Sequence, residues 1–246
     1  MNTTDGKQFL VWLCKQPVSS EKWFTKALTL LSICPKDTSV IDFILSAVDS
    51  NNFRLDGNLF LSLLTKSQGT ARNCILQSCA FGRLPKSAFK KAFSYCEEHF
   101  QTTQERLLLA FVLRVYLRRE SKGADHFSEF IRSTLVSRSP ALRLHGLALI
   151  GFMTHVNVGD IINLRKALDA KNFELRMNSL NSICLLLKRH KEIKSNIVRS
   201  CLDEVLKIRV LQILRADPEK NVRACARYVL QERKKAADSF KNAVSE

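Results

Sequence analysis

Five arginines recur along the chain at similar intervals, and arginine is the side chain best suited to bind phosphate or carboxylate groups. They are Arg72, Arg106, Arg143, Arg176 and Arg223. The intervals between them are 34, 37, 33 and 47 residues. A small or apolar residue follows each arginine three positions later and again near position seven, and for all but Arg223 also four positions later, as on one face of a helix. One interpretation of this spacing is a row of phosphate contacts.

Two clusters of basic residues are further candidates for contact with an acidic partner. One lies in RVYLRRESK, residues 114–122, and the other in KRHKEIKSNIVR, residues 188–199. Because cations are also favourable at a helix C-terminus, the second cluster has a structural explanation as well. The candidate contacts with phosphates or with a partner are Arg114, Arg118, Arg119, Lys188, Arg189, Lys191, Lys194, Arg199 and Arg227.

The sequence gives little sign of catalysis. It contains no phosphate-binding Gly-rich loop, no G-x-S-x-G and no HExxH motif. Cys96 and His99 share a helix face, but a cysteine nucleophile also needs a group that orients the histidine. The eight cysteines include no CxxC pair and no zinc-finger spacing. We therefore predict no catalytic residue, no metal site and no cofactor.

The charge of the chain is strongly basic and unevenly distributed. The net charge is +16 and the isoelectric point is about 9.7. Residues 1–50 carry five basic and five acidic side chains, so the whole excess follows residue 50. A field of this sign attracts phosphate backbones, anionic lipid or an acidic protein. The same charge also fits a merely basic surface without a partner.

Helical periodicity dominates the pattern of apolar residues. In QERLLLAFVLRVYLRR, residues 104–119, one face carries Leu109, Val112, Leu113 and Tyr116. Several breaks match helix starts. Thr102 with Glu105 fits a capping box. Ser139 and Asp217 precede prolines, so we predict that each caps a helix whose first residue is that proline.

The segment DPEKNVRACARYVL, residues 217–230, resembles the second helix of a HEAT repeat. The segments SPALRLHGLALIGF, residues 139–152, and KNFELRMNSLNSICLLL, residues 171–187, resemble the same helix with more drift. The resemblance extends over residues 139–230, is weaker over 69–120 and is poor before residue 65. It implies that the recurring arginine is structural and spans adjacent repeats to an aspartate at a preceding turn. Possible aspartates are Asp169, Asp203 and Asp217.

These patterns predict an all-α fold. A helical repeat of this period is typical of an α-solenoid of stacked antiparallel helix pairs, HEAT- or armadillo-like, and the resemblance implies a right-handed superhelix. We expect residues 1–246 to form a single solenoid domain. Residues 1–65 would be atypical N-terminal capping helices or a separate helical module, and residues 66–246 would be HEAT-like repeats with a basic surface.

The function predicted from these features is a non-enzymatic scaffold that binds an acidic partner, either nucleic acid or protein. Two alternatives remain: a DNA-binding glycosylase of the AlkD type, and an inhibitor or adaptor that binds one protein. No signal peptide is expected at the N-terminus. No membrane-spanning segment is expected either, because the longest uncharged stretch, residues 144–159, is too short. Reduced cysteines favour a cytoplasmic or nuclear protein.

Overall fold

A computed structural model describes residues 56–67, 69–81, 84–120, 124–189 and 192–244, together with the helical positions 22, 25–27, 29 and 30. These described residues form no strand, which confirms the prediction of an all-helical fold. The chain divides into two compact units, Met1–Tyr116 and Leu117–Glu246. Apart from residues 56–65 and the six isolated positions, the predicted N-terminal capping helices lie outside the described residues.

The described helices of the first unit are 10 to 18 residues long. They are α1 (Gly57–Lys66), α2 (Gly69–Phe81), α3 (Lys86–His99) and α4 (Thr103–Glu120). Helix α1 begins after Asp56, whose carboxylate accepts hydrogen bonds from the N–H groups of Asn58 and Leu59 at 2.9 and 2.8 Å. Helix α1 packs against α2 and α3.

Aromatic residues form much of the core of the first unit. Phe60, Phe89 and Phe100 are almost fully buried. The ring of Phe89 in α3 stacks on Tyr116 in α4 with 3.6 Å between ring centroids. The face of α4 predicted from the sequence is the buried one, since Leu109, Val112, Leu113 and Tyr116 all belong to the core. The helical period of the sequence therefore predicted the packing of this helix correctly.

The second unit continues with helices joined by short turns. A 3₁₀ turn, Ala124–Phe127, precedes them, and a π-helical segment, Leu206–Val210, joins α9 directly to α10. The helices are α5 (Ser128–Leu135), α6 (Pro140–Ile150), α7 (Val158–Leu168), α8 (Phe173–Lys188), α9 (Asn196–Val205), α10 (Leu211–Ala216) and α11 (Lys220–Val244).

Helix α8 is the centre of the second unit. It contacts α6 on one side and α11 on the other, and α7, the helix before it in sequence, also packs against it. Helix α6 in turn packs on α5, and α11 packs on α10. Helices α6, α8 and α11 therefore each pack on the helix before them in sequence, and α8 also packs on both α6 and α11.

Small residues allow α8 to approach its neighbours closely. The hydroxyl of Ser179 donates a hydrogen bond to the carbonyl of Leu164 in α7 at 2.7 Å. The hydroxyl of Ser182 donates to the carbonyl of Leu147 in α6 at 2.5 Å. A Cβ atom at Gly151, which ends α6, would lie 2.9 Å from the Cα atom of Ser182. Both serines are fully buried, so their hydroxyls need these carbonyl partners.

Two of the three predicted helix starts are confirmed. Thr102 and Glu105 form a reciprocal capping box, with hydrogen bonds of 3.1 and 3.2 Å between each backbone N–H and the other side chain. The hydroxyl of Ser139 caps α6, and Pro140 is the first residue of that helix. The prediction for Asp217 was wrong, because α11 begins at Lys220 and Asp217 instead ends α10.

We expect Gly151→Ala to lower the free energy of unfolding by about 1–3 kcal/mol, because the new methyl group would press on the backbone of α8. The measurement is urea denaturation. Gly159→Ala is the control, since its Cβ would meet only the side-chain oxygen of Asn157, at 3.2 Å. The control should change stability by less than about 1 kcal/mol. Equal stability of Gly151→Ala and the unmodified chain would contradict the close approach of α6 and α8.

Candidate binding surface

The recurring arginines occupy one structural position. Each is the fourth residue of its helix: Arg72 in α2, Arg106 in α4, Arg143 in α6, Arg176 in α8 and Arg223 in α11. Alignment of the sequence on these arginines therefore identified equivalent sites in five helices.

In the second unit, three of these arginines make the same contacts with the turn before their helix. Nη1 of Arg143 donates hydrogen bonds to the carbonyls of Ser137 and Arg138, six and five residues earlier, at 2.7 and 3.1 Å. Nη1 of Arg176 donates to the carbonyls of Ala170 and Lys171, both at 2.8 Å.

The third arginine repeats this geometry. Nη1 of Arg223 donates to the carbonyls of Asp217 and Pro218, again six and five residues earlier, at 2.5 and 3.0 Å. A guanidinium group presents several N–H donors in a fixed plane, which allows one nitrogen to bridge two carbonyls. Three successive turns are thus closed by the same interaction.

In the first unit, Arg72 pairs with a carboxylate and lies over an aromatic ring. Nη2 of Arg72 contacts Oε1 of Glu105 at 2.9 Å, and its guanidinium lies 4.9 Å from the centre of the Phe100 ring. The side chain of Arg106 is half-buried and has interactions within the protein. The bridge to two carbonyls is established for Arg143, Arg176 and Arg223.

Arg176 also connects its helix to the next repeat of the pattern. Its Nε and Nη2 atoms donate to the two carboxylate oxygens of Asp217 at 2.7 and 3.0 Å. Only 8% of the Arg176 side chain and 4% of the Asp217 side chain are exposed. This two-point geometry is a strong form of ion pair, and burial makes loss of one partner costly.

The other two aspartates considered from the sequence have different partners. Asp169 pairs with Arg209 in the π-helical segment, and Asp203 pairs with Arg233 in α11 at 3.3 Å. Register explains the difference. Asp217 stands six residues before Arg223, whereas Asp169 stands seven residues before Arg176 and is one position out of place.

Three turns lie close together at one edge of the second unit, which we name the turn edge. They comprise residues 137–139, 170–172 and 217–219. Arg176 joins the second turn to the third, and Arg143 and Ala170 line a common cleft between the first and the second. Exposed cations on or beside these turns are Arg138, Lys166, Lys171, Arg215 and Lys220.

The turn edge lies in the more basic part of the chain. Residues 117–246 contain 25 basic and 14 acidic residues, a net charge of +11. Ion pairs occupy many of the acidic residues, including Asp160 with Arg132 at 3.0 Å and Glu192 with Arg189 at 2.8 Å. The exposed cations of the turn edge therefore remain without a matching number of carboxylates.

Sequence reasoning did not select the turn edge. The signal was present, because a basic residue stands five positions before Arg143 and before Arg176 (Arg138 and Lys171). These cations are separated by more than thirty residues in sequence. Only the packing of α6 on α8 brings their turns together.

The cluster predicted around residues 114–122 is partly exposed. Arg114 is half-buried in α4, and Arg118 and Arg119 are exposed in its last turn. Arg114 and Arg119 both have interactions within the protein. Residues 121–123 lie outside the described part of the chain.

Some residues of the cluster predicted around residues 188–199 make contacts within the protein, and others are exposed. Arg189 is engaged, since Nη1 donates to the carbonyl of Phe152 at 2.6 Å and Nε donates to Glu192 at 2.9 Å. Arg199 is half-buried, and its Nη2 donates to Asn196 at 2.6 Å. Lys194 is exposed. Lys191 lies outside the described residues.

Lys188 and Arg227 complete the predicted candidates. The ammonium group of Lys188 lies 5.4 Å from the centre of the Tyr228 ring, and hydrogen bonding with the Tyr228 side chain is the main cause that raises the pKa of Lys188. Arg227 is exposed on α11. The structure places these two cations on α8 and α11.

Carboxylates in the basic region mostly hold the fold together. Asp125 accepts hydrogen bonds from the backbone N–H groups of Thr154 and His155 at 2.9 and 2.7 Å and from the Thr154 hydroxyl. Partial burial tends to raise the pKa of Asp125, but these hydrogen bonds outweigh it and the pKa is lowered. Asp160 is buried, caps α7 and pairs with Arg132.

The Cys96 and His99 side chains are not arranged as a nucleophile and base. Burial raises the pKa of the Cys96 thiol to about 12, so the thiol stays protonated at neutral pH. His99 is exposed, and its ring stacks on Tyr95 with 4.2 Å between centroids.

Within the described residues, no group of three or more His, Cys, Asp or Glu side chains has the geometry to hold a metal ion. None of the described helices has the length and apolar character that crossing a membrane requires. Comparisons with known protein families, curated proteins and solved structures give no match to this chain.

We expect Asp217→Asn to lower the free energy of unfolding by about 3 kcal/mol, because it leaves the buried Arg176 without its countercharge. Urea denaturation measures this change. Asp203→Asn makes the same substitution in an ion pair whose aspartate is 51% exposed, and it should cost less than about 1 kcal/mol. Equal losses in the two variants would contradict a structural role of the Arg176–Asp217 pair.

The lowered pKa of Asp125 predicts a loss of stability in acid. A carboxylate with a lowered folded-state pKa stabilises the protein fully above its ordinary pKa of 3.8, and this contribution disappears as the pH falls through the lowered value. We expect the difference in Tm between the unmodified chain and Asp125→Asn to shrink as the pH falls from about 6 to about 2.5. A difference independent of pH would contradict the assignment.

Proposed function

We propose that this chain is a non-enzymatic α-solenoid scaffold of the HEAT type that binds an acidic partner, protein or nucleic acid, through the turn edge. One observation carries the proposal. Arg143, Arg176 and Arg223 make the same bridge to two carbonyls in three helices that pack side by side. Repetition of one local interaction along a stack of helix pairs is what a solenoid requires.

The packing order of the second unit supports a solenoid. Helices α6, α8 and α11 contact one another in sequence, and each also packs on the helix immediately before it, namely α5, α7 and α10. Helix α7 contacts α9, which the π-helical segment joins to α10. Two adjacent rows of helices of this kind form an α-solenoid, for which we propose a right-handed superhelix.

The charge of the turn edge supports the choice of an acidic partner. Its exposed cations come from three successive turns, and binding of an extended anion needs basic residues from several repeats on one side. Of the neighbouring carboxylates, Asp169 and Asp217 are paired with arginines, and the exposed Glu174 and Glu219 are two against five exposed cations. An acidic partner would therefore meet net positive charge along the edge.

The glycosylase alternative is less favoured by these contacts. A base-excision enzyme needs a carboxylate near the lesion. Glu129 and Glu174 of the basic region are exposed, whereas the other three carboxylates between residues 121 and 190 are engaged within the fold. They are Asp125, Asp160 and Asp169. The inhibitor alternative uses the same scaffold with one protein partner, so it differs from the main proposal only in the partner.

Charge reversal at the turn edge tests the proposal. The test variant combines Arg138→Glu, Lys171→Glu and Lys220→Glu. Fluorescence anisotropy at about 50 mM salt measures binding to a labelled 20-nucleotide DNA strand and to a polyglutamate peptide. We expect binding to at least one probe and a loss of about tenfold or more in the variant, since ionic contacts dominate such affinities.

A second variant with the same change in charge is the control. It combines Lys194→Glu, Arg227→Glu and Lys234→Glu, which alter exposed cations outside the three turns. Its affinity should fall less than about threefold, and both variants should keep the Tm of the unmodified chain to within about 3 °C. Equal losses of affinity, or no binding to either probe, would contradict the proposal. Release of bases from alkylated DNA would favour the glycosylase instead.

A further inference from the structure

The junctions between neighbouring turns of the second unit differ in one residue. At the junction of α8 with α11, the residue six positions before Arg223 is Asp217, whose carboxylate binds Nε and Nη2 of Arg176. At the junction of α6 with α8, the residue six positions before Arg176 is Ala170. A methyl group accepts no hydrogen bond, so the second junction lacks the carboxylate that the first one has.

Arg143 is the counterpart of Arg176 at this second junction. Its Nη1 atom bridges the carbonyls of Ser137 and Arg138, as Nη1 of Arg176 bridges its own pair. The Nε and Nη2 atoms of Arg143 make no hydrogen bond with any described residue. These two atoms correspond to the pair that holds Asp217 in the neighbouring repeat.

An open cleft occupies the place of the missing carboxylate. Its volume is about 250 Å³, and both Arg143 and Ala170 line it. Lys166 and Asn163 from α7 add a second cation and an amide, and Leu147 and Leu175 supply apolar surface. None of the described residues that line the cleft is an aspartate or a glutamate. The cleft therefore combines two positive charges, one further hydrogen-bond donor and apolar walls.

We propose that this cleft binds an aspartate or glutamate side chain of a protein partner. That carboxylate would make with Arg143 the same two-point contact that Asp217 makes with Arg176. The fork of Nε and Nη2 fits a planar carboxylate. Lys166 adds charge, and the leucines receive an apolar residue beside the acidic one. The cleft thus recognises a short segment in which an acidic residue is flanked by apolar residues.

The apolar walls favour a protein segment over a nucleic acid. Phosphate groups of a nucleic-acid backbone are held mainly by exposed cations, and they gain nothing from leucine side chains. Protein segments, in contrast, bury apolar side chains around a few directed polar contacts. This inference rests on the proposed scaffold function and names the class of partner that its turn edge receives.

Peptide binding to the full chain tests the proposal. The probe is an acetylated and amidated Gly-Ser-Leu-Asp-Leu-Ser-Gly peptide, and the same peptide with Asn in place of Asp is its control. Isothermal titration should detect the Asp peptide and give binding about tenfold weaker for the Asn peptide, because the charged two-point hydrogen bond is lost. Equal binding of the two peptides, or no binding of the Asp peptide up to about 1 mM, overturns the proposal.

Variants of the cleft test the same idea from the side of the protein. Arg143→Gln and Lys166→Gln should each weaken binding of the Asp peptide about tenfold, and Lys234→Gln, an equal loss of charge on α11, should leave it unchanged. Because Arg143 also holds the turn before α6, its variant must first show the helical circular dichroism signal of the unmodified chain. If that signal falls, Lys166→Gln alone is the test. Unchanged binding in Lys166→Gln overturns the proposal.

A carboxylate built into the chain gives a test that needs no partner. Ala170→Asp places the missing group six residues before Arg176, so it should raise the Tm by about 2–4 °C over Ala170→Asn and abolish binding of the Asp peptide. A lower Tm than that of Ala170→Asn, or unchanged peptide binding, overturns the proposal. If polyglutamate and DNA still bind at the turn edge, only this inference fails. If they do not bind either, the proposed scaffold function fails with it.

Discussion

The structure of the second unit depends on the guanidinium group at the fourth position of three helices. From that position the side chain reaches back over the first turn of the helix, and one nitrogen satisfies two carbonyls that the turn leaves without partners. In Arg176 the remaining nitrogens continue to Asp217, so one side chain fixes its own turn and the next one. The regular order of the stacked helices, and the basic edge that they present, follow from this contact.

Much of this arrangement is encoded locally and is therefore visible in the sequence. The helical period of apolar residues predicted the buried face of α4, and the caps at Thr102 and Ser139 follow from side chains within three residues. Alignment on the arginines identified equivalent helix positions because the pattern, an arginine at the fourth position followed by small residues, depends only on the geometry of a single helix. The structural interpretation of the recurring arginine was also open to sequence reasoning, and Asp217, the partner of Arg176, was one of the three aspartates that it offered.

The features that sequence reasoning missed depend on distant contacts. Asp217 was expected to cap α11, as Asp-Pro suggests locally, but that helix begins later. Its contact with Arg176, 41 residues away, agrees with one of the three partners offered from the sequence, but the sequence did not choose among them. Arg189 was a candidate contact with a partner or a cation that compensates a helix C-terminus, but the carbonyl of Phe152 and the carboxylate of Glu192 hold it. The turn edge and the cleft beside Arg143 exist only because α6 packs on α8.

Zero-length carbodiimide crosslinking of a polyglutamate peptide to the chain, read by mass spectrometry, tests the central claim most directly. The reagent joins a carboxylate to a lysine only when the two groups are in contact. The account predicts that crosslinks form mainly at Lys166, Lys171 and Lys220, the lysines of the turn edge. Crosslinks concentrated instead at Lys188, Lys194 and Lys234 would contradict it.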